Sequence, residues 1–188
     1  MRVFFDCEFT GLHQATTLIG LGCVTEEGRE FYAELTDYDR HQVDDWIQAH
    51  VIDKLHLRDL QTSERGFEDH SQYPRLVQAK GDREYVRMAF GSWLADFDRV
   101  EMWGDVLAYD WMLICDLFGG AMRMPGNIFY IPFDVATALA LAGIDPDIDR
   151  RVFSWDGIEG QPHNALFDAL LSKQAYIAAV DRIRIQVR

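Results

Sequence analysis

The sequence predicts an α/β fold, in which a mixed β-sheet is flanked by helices. Three runs rich in β-branched and aromatic residues come first, and helical patterns then alternate with a later strand. The 188 residues, 48% of them apolar, are enough to bury a substantial core. No linker composition or internal repeat divides the chain, so we expect a single domain over residues 1–188.

The first predicted strands form an antiparallel meander. They cover residues 2–5, 17–25 and 30–35. Two glutamates and Gly28 stand between the last two runs as a turn signal, which favours a hairpin connection. A further run, residues 100–103, is short and apolar and therefore predicts a buried strand.

Helices are predicted where apolar side chains recur at intervals of three and four residues. The predicted helices cover residues 44–55, 84–97, 109–118, 134–141 and 164–183. Residues 56–81 instead mix charged and polar side chains with little periodicity, so we expect a long surface excursion with at most a short helix. This excursion is a candidate lid over an active site or a candidate dimer contact.

The charge balance limits the kind of substrate that the protein binds. The net charge of −13, from 18 basic and 31 acidic residues, repels a polyanion at long range. A groove that binds nucleic acid along its length is usually basic. The acidity therefore favours a short or end-bound substrate over a long duplex. The alternative is that the acidic surface only keeps the protein soluble.

The cysteines and the N-terminus indicate a soluble protein of the cytoplasm. Cys7, Cys23 and Cys115 are odd in number and widely spaced, which argues against a disulfide framework and against a zinc ribbon. The N-terminus lacks the pattern of a signal peptide, and the longest apolar stretch is far shorter than the roughly 20 residues of a membrane span. We therefore expect a cytoplasmic protein that does not associate with membranes.

Two carboxylates, Asp6 and Glu8, follow the apolar run of the first strand. Residues i and i+2 of a strand face the same side, so both carboxylates can bind one divalent cation. Mg²⁺ and Mn²⁺ prefer oxygen ligands, and a strand end beside a loop leaves positions open for water and substrate. The pattern is common by chance, and a solvated strand end is the alternative.

The start of the last helix carries a second group of candidate residues. His163 and Asp168 would diverge by about 140° if both were helical, so they cannot share a helix face. Asn164 is a good N-cap, and Pro162 favours extended backbone before it. We therefore expect His163 on the loop and Asp168 in the first or second turn, a division that suits a general base and a metal ligand.

These motifs resemble those of the DnaQ-like 3′-5′ exonucleases, whose catalytic set is Asp-Glu-Asp-Asp with a histidine. Residues 6–12 are similar to the first motif of oligoribonuclease and ribonuclease T, and His163 with Asp168 is similar to the last motif. Residues 108–111 are similar to the middle motif of a bacterial exoribonuclease subgroup that includes a mycobacterial member. The resemblance implies a ribonuclease H-like fold and one exonuclease domain.

The resemblance also implies a mechanism and a catalytic set. It implies hydrolysis of phosphodiester bonds from the 3′ end of single-stranded RNA or DNA, with RNA favoured by the subgroup. Asp6, Glu8, Asp110 and Asp168 would bind two divalent cations, Mg²⁺ or Mn²⁺, and His163 would take the proton from the attacking water. Similar small exoribonucleases often form homodimers, so a homodimer is expected by analogy.

Four residues beside the first motif are expected to contact substrate. In similar enzymes, side chains placed as Phe9 and Leu12 are here stack on the last bases or wedge between them. Core packing is the alternative for both. Backbone amides near Thr10 and Gly11 are candidates for contact with the terminal 2′ or 3′ hydroxyl.

The middle aspartate has alternatives. The family often carries Asn or His several residues before it, whereas this chain has Gly104 and Asp105. Asp110 is preferred because it begins a helix after the strand at residues 100–103, although such a residue can simply be a helix N-cap. Asp105 and Asp116 are the other candidates.

Other acidic residues and histidines receive structural interpretations. Asp134 lies between an apolar run and a helical pattern, which is typical of a helix cap. His50 and His56 are six positions apart, which is not the spacing of a helical metal pair, so we interpret them as surface or core-edge residues.

Two other functions remain open to the sequence. One is a nucleic-acid-binding or partner-binding module that keeps the fold without catalysis. The other is metal-dependent hydrolysis of small phosphoesters or dinucleotides, for which an acidic surface would be natural.

Overall fold

The computed structural model describes residues 1–57, 64–67, 75–154 and 160–186. The strands among these residues are β1 (Arg2–Phe9), β2 (Leu18–Thr25), β3 (Glu30–Leu35), β4 (Glu64–Phe67), β5 (Leu76–Gly81), β6 (Glu101–Gly104) and β7 (Phe133–Asp134). The α-helices are α1 (Asp45–His50), α2 (Arg83–Leu94), α3 (Ala108–Leu117), α4 (Val135–Leu141) and α5 (Ala165–Gln186).

The strands form one mixed sheet in the order β4-β5-β3-β2-β1-β6-β7. β1, β2 and β3 pair in antiparallel fashion, as the predicted meander requires. β5 joins β3 in parallel, and β6 joins β1 in parallel. The mixed sheet and its helices confirm the predicted α/β class and fit a ribonuclease H-like arrangement.

Helices cover both faces of the sheet, so alternate residues of β1 enter two different cores. Val3 and Phe5 pack in a core with α2 and α3. Phe4 packs in a second core with α4 and α5. Because Asp6 and Glu8 continue the alternation of Phe4, they lie on the α5 side of the sheet.

The predicted end of the first strand is wrong, because β1 continues to Phe9. Asp6 and Glu8 therefore lie within the strand, opposite Gly22 and Gly20 of β2. Pairing with β2 along this length outweighs the low strand propensity of two acidic residues. The relation between the two carboxylates, two positions apart on one face, is unchanged.

The prediction of a long excursion over residues 56–81 is wrong in part. β4 and β5 lie within this segment, and β5 is an interior strand between β3 and β4. Polar residues interrupt the apolar pattern of β5, so its strand character depends on parallel pairing with β3 rather than on local sequence. Residues 58–63 and 68–74 lie outside the described part of the chain, and the lid or dimer role stays a prediction.

The predicted helices are present, with shifted ends. α1 stops at His50, and a separate 3₁₀ turn, Ile52–Lys54, follows where one continuous helix was predicted. Asp44, Asp82 and Asp134 each accept a hydrogen bond from an amide of the helix that follows, which confirms Asp134 as a cap. Of the helices described, none has the length and apolar composition to cross a membrane.

The start of α5 lies directly against β2. A Cβ atom at Gly22 would overlap the backbone of Ala165, the first residue of α5. Glycine is therefore required where the helix approaches the sheet this closely. The contact holds the first turn of α5, which contains Asp168, beside the strand that neighbours β1.

Candidate active site

Carboxylates from two elements form a close group at one cavity. Asp6 and Glu8 lie on β1, and Asp168 lies in the first turn of α5. One carboxylate oxygen from each residue lies within 4.8 Å of those of the other two. Three oxygen donors this close together suit a hard divalent cation such as Mg²⁺ or Mn²⁺.

Asp110 is the fourth carboxylate of the site. Its Oδ1 accepts a hydrogen bond of 2.9 Å from the backbone N–H of Cys7, which lies between the two acidic residues of β1. Asp110 is 8% exposed and lines the same cavity as Asp6. The alternative that it is a helix N-cap is wrong, because Leu107 occupies that position of α3.

The two other candidates for the middle aspartate are engaged by arginines. Arg150 donates hydrogen bonds of 2.7 and 2.9 Å to the two carboxylate oxygens of Asp105. Asp116 lies towards the other end of α3 and forms a surface ion pair with Arg83. The geometry therefore favours Asp110 as the middle aspartate.

Burial raises the pKa of all four carboxyl groups. The pKa of Asp6 is held well above its usual range by burial and then by the negative charges of Asp110 and Asp168. Burial, followed by Asp168, raises the pKa of Glu8 to about 8. Burial also raises the pKa of Asp110 and of Asp168 to about 6, although backbone hydrogen bonds act in the opposite direction.

These raised pKa values indicate what the carboxylate group would bind. Crowded carboxylates that are not neutralised by a cation retain protons. A divalent cation would displace those protons, because it neutralises the same oxygens. The donor set therefore fits a divalent metal, and Asp6, Glu8 and Asp168 are the residues placed to hold it.

His163 lies on the loop before α5, as predicted from its neighbours. Its φ of 64° is in the left-handed region, which is uncommon for residues other than glycine. The backbone N–H of His163 donates a 2.9 Å hydrogen bond to Oδ2 of Asp168. Burial, followed by Lys54 and His50, lowers the pKa of His163. The ring is therefore a neutral acceptor near pH 7.

The acidic residues and His163 share a cavity of about 610 Å³. Apolar and aromatic side chains make up much of the remaining lining. Within the described part of the chain, neither lysine nor arginine lines this cavity. Such a cavity can contact the faces of bases. Lys54 lies outside the lining but close enough that its charge, after burial, lowers the pKa of His163.

The predicted substrate residues differ in their placement. Phe9 lines the cavity and stacks on Tyr109 at 5.7 Å between ring centroids. Leu12 lines it too and is 76% exposed, so core packing is excluded for this residue. Gly11 is a further lining residue.

Thr10 is different, because it is 2% exposed and its backbone N–H donates to the carbonyl of Thr17. A contact between the Thr10 amide and substrate is therefore not supported.

An aromatic wall, formed by Trp46 and His50, lies beside His163 and was not predicted from the sequence. Trp46 of α1 is 51% exposed and meets the His163 ring edge-on at 5.0 Å. His50 stacks on Trp46 at 4.6 Å and lies 6.1 Å from the His163 ring. The apolar spacing over residues 44–55 predicted a helix but gave Trp46 no functional role, because only the tertiary fold brings α1 to the loop before α5.

Comparisons with known proteins match the chain to a family model and to curated relatives. A family model described as the 3′-5′ exoribonuclease Rv2179c-like domain matches residues 1–180. Two curated proteins of Mycobacterium tuberculosis are each 30% identical over 130 residues, which is 68% of this chain and 67% of each relative. Their names are 3′-5′ exoribonuclease Rv2179c, from strain H37Rv, and 3′-5′ exoribonuclease MT2234.1, from strain CDC 1551.

Proposed function

The chain belongs to the family of 3′-5′ exoribonuclease Rv2179c-like domains, and we propose that it removes nucleotides from the 3′ end of single-stranded RNA by metal-dependent hydrolysis. The observation that carries this proposal is the close group of Asp6, Glu8 and Asp168 in one cavity with Asp110 and His163. All five residues lie within the segment that the family model matches. The domain over residues 1–188 would be a single exonuclease unit.

Two divalent cations, Mg²⁺ or Mn²⁺, are proposed as cofactors. Asp6, Glu8 and Asp168 would hold one, and Asp6 with Asp110 would hold the other. Such cations activate the attacking water and stabilise negative charge on the leaving 3′ oxygen. The hydrogen bond from the Cys7 N–H holds Asp110 next to β1, which supports its assignment to the site beside Asp6.

His163 is proposed as the general base. Its lowered pKa leaves the imidazole free to accept a proton from water near neutral pH. The hydrogen bond from its backbone N–H to Asp168 links the base to a proposed metal ligand. A base of this kind typically contributes about 10²- to 10⁴-fold to turnover.

The terminal nucleotides are proposed to bind along the apolar lining of the cavity. Phe9, supported by Tyr109, offers an aromatic face to a base, and exposed Leu12 can wedge beside it. A stacked base is typically worth about 1–3 kcal/mol. Gly11 would bring its backbone close to the terminal hydroxyl groups. The preference for RNA over DNA follows from family membership.

Two other functions are alternatives to this proposal. An inactive binding module is disfavoured, because all five catalytic candidates are retained at one cavity. Hydrolysis of dinucleotides or small phosphoesters is favoured by a cavity whose described lining contains no lysine or arginine. A homodimer and a cytoplasmic location stay predictions.

The deciding experiment incubates the protein with 5′-labelled single-stranded RNA or DNA in Mg²⁺, in Mn²⁺ or in chelator. We expect a ladder that shortens from the 3′ end of RNA in either metal and no shortening in chelator. Binding of RNA without degradation in any metal would contradict the proposal and support the inactive module. Cleavage of dinucleotides alone would support the small-substrate hydrolase.

A further inference from the structure

A buried glutamate on β3 holds the chain segment that follows α1. Oε1 of Glu34 accepts hydrogen bonds from the backbone N–H groups of His56 and Leu57, at 2.6 and 2.8 Å. The Nζ of Lys80 donates to the Leu57 carbonyl at 2.7 Å. Glu34 is 3% exposed, so these bonds replace its hydration and hold the backbone at His56 and Leu57 in place.

The Tyr32 hydroxyl connects this glutamate to the loop that carries His163. It donates to the same Oε1 of Glu34 at 3.0 Å and accepts a bond of 3.4 Å from Nδ2 of Asn164. Tyr32 is 3% exposed. Oδ1 of Asn164 accepts from the Phe167 N–H at 3.1 Å, so the same side chain caps α5. One buried hydroxyl thus joins β3 to the residue after His163.

The helix before the segment that Glu34 holds and the loop before α5 also lie close to each other at the His163 ring. The segment held by Glu34 follows α1, and Trp46 of α1 contacts the His163 ring edge-on. The segment joined through Tyr32 carries His163 itself, in a left-handed conformation with a φ of 64°. Such a conformation persists only where the surrounding contacts fix it.

We propose that Tyr32 is a positioning residue for His163, acting through Asn164 and Glu34. The inference rests on the proposed function of His163 as the general base. Tyr32 is not among the residues that line the cavity, so it would act on His163 through its neighbours. Its hydroxyl fixes the direction of the loop, and thereby the distance from the imidazole to the attacking water.

The test replaces Tyr32 by phenylalanine, which removes the hydroxyl and keeps the ring. We expect kcat on a labelled oligoribonucleotide to fall about tenfold, a part of the roughly 10²- to 10⁴-fold that a positioned base contributes. KM should stay within about twofold, because base contacts and cations are unchanged. The matched control is Tyr176→Phe. Its ring packs against Phe4 and Trp103 in the core with α4 and α5, and the substitution should leave kcat unchanged.

A second comparison separates positioning from a general loss of structure. In a His163→Ala background, Tyr32→Phe should cause no further loss of kcat, because the group that it positions is already absent. A tenfold loss in both backgrounds, or a wild-type kcat for Tyr32→Phe, overturns the proposal. If Tyr32→Phe does not fold, Asn164→Ser replaces it, since serine keeps the helix cap and lacks the amide donor.

The same measurements distinguish failure of this inference from failure of the proposed function. If His163→Ala retains wild-type kcat, the assignment of His163 as general base is wrong. If His163→Ala is severely impaired while Tyr32→Phe is not, the base assignment stands and only the role of Tyr32 is wrong.

Discussion

The ionised carboxylates of the site destabilise the metal-free fold. Burial raises the pKa of Glu8 from 4.5 to about 8, and those of Asp110 and Asp168 from 3.8 to about 6. Between the ordinary and the raised values, the folded protein binds more protons than the unfolded chain. The free energy of unfolding therefore falls as pH rises through this range and levels off above it.

We predict that the thermal midpoint in chelator falls between about pH 5 and about pH 8. Mg²⁺ or Mn²⁺ should raise the midpoint more at pH 8 than at pH 5, because cations bind the ionised carboxylates. Glu8→Gln should reduce the decrease of the thermal midpoint with pH, whereas the exposed control Glu27→Gln should not. A midpoint that rises with pH in chelator would contradict the assigned pKa shifts.

A substitution that replaces one carboxylate oxygen tests whether Asp110 is the middle aspartate of the catalytic set. Asp110→Asn keeps an oxygen that can accept from the Cys7 N–H but loses the charge. Metal-based stabilisation of a transition state is worth several kcal/mol, so turnover should fall at least about a hundredfold. Asp116→Asn, on the same helix, should retain turnover. Equal effects of the two substitutions on oligoribonucleotide hydrolysis would refute the assignment.

The sequence could predict individual site residues because they occur in short motifs. Asp6, Glu8, His163 and Asp168 were candidates from spacing and resemblance, and the structure brings them together. The engagement of Asp105 by Arg150 was invisible, since the two residues are distant in the chain. The wall formed by Trp46 could not be predicted for the same reason.

Among the secondary-structure elements, the spacing of hydrophobic residues predicted the helices and the antiparallel meander. The length of β1 and the presence of β5 depend instead on pairing with neighbouring strands. β1 continues through two acidic residues because β2 pairs with it along this length, whereas β6 pairs only with residues 2–5. β5 is a strand because it lies beside β3, although its own sequence has a weak pattern. Local sequence does not contain the partner strand, so it could predict neither feature.

The contact between β2 and α5 predicts that alanine substitutions at two glycines of β2 will differ in their effect on stability. Gly22→Ala would force α5 away from the sheet, because a methyl group there overlaps the backbone of Ala165. We expect a loss of about 1–3 kcal/mol in unfolding free energy, with reduced turnover as Asp168 moves. Gly20→Ala is the matched control, since its Cβ would make only an ordinary 3.6 Å contact with Glu8. Denaturant unfolding of the two variants should therefore differ, and equal midpoints would contradict this packing.

At the scale of the whole molecule, strong negative charge is combined with a nucleic-acid substrate. The net charge is −13, and the described lining of the cavity contains no lysine or arginine. Recognition is therefore expected to depend on the 3′ end and its bases rather than on the length of the phosphate backbone.

We predict a weak dependence of KM on salt and on RNA length. A protein that makes six to ten phosphate contacts loses about 10³- to 10⁵-fold in affinity between 50 and 200 mM salt. For this protein we expect KM to change by no more than about tenfold over that range, for short and long single strands alike. Steady-state kinetics at several salt concentrations measure it, and a steep dependence would indicate a basic binding track elsewhere on the molecule.

Hydrolysis at the carboxylate cluster is tested most directly with one single-stranded RNA that carries a label at its 5′ end or at its 3′ end, using wild type and Asp168→Asn. In Mg²⁺ or Mn²⁺, wild type should release the 3′ label at once as a mononucleotide and convert the 5′-labelled strand into a descending ladder. Asp168→Asn should do neither, because one of the three clustered carboxylates is lost. Internal fragments, release from the 5′ end, or unchanged hydrolysis by Asp168→Asn would contradict the assignment of this carboxylate cluster as the site of 3′-end hydrolysis.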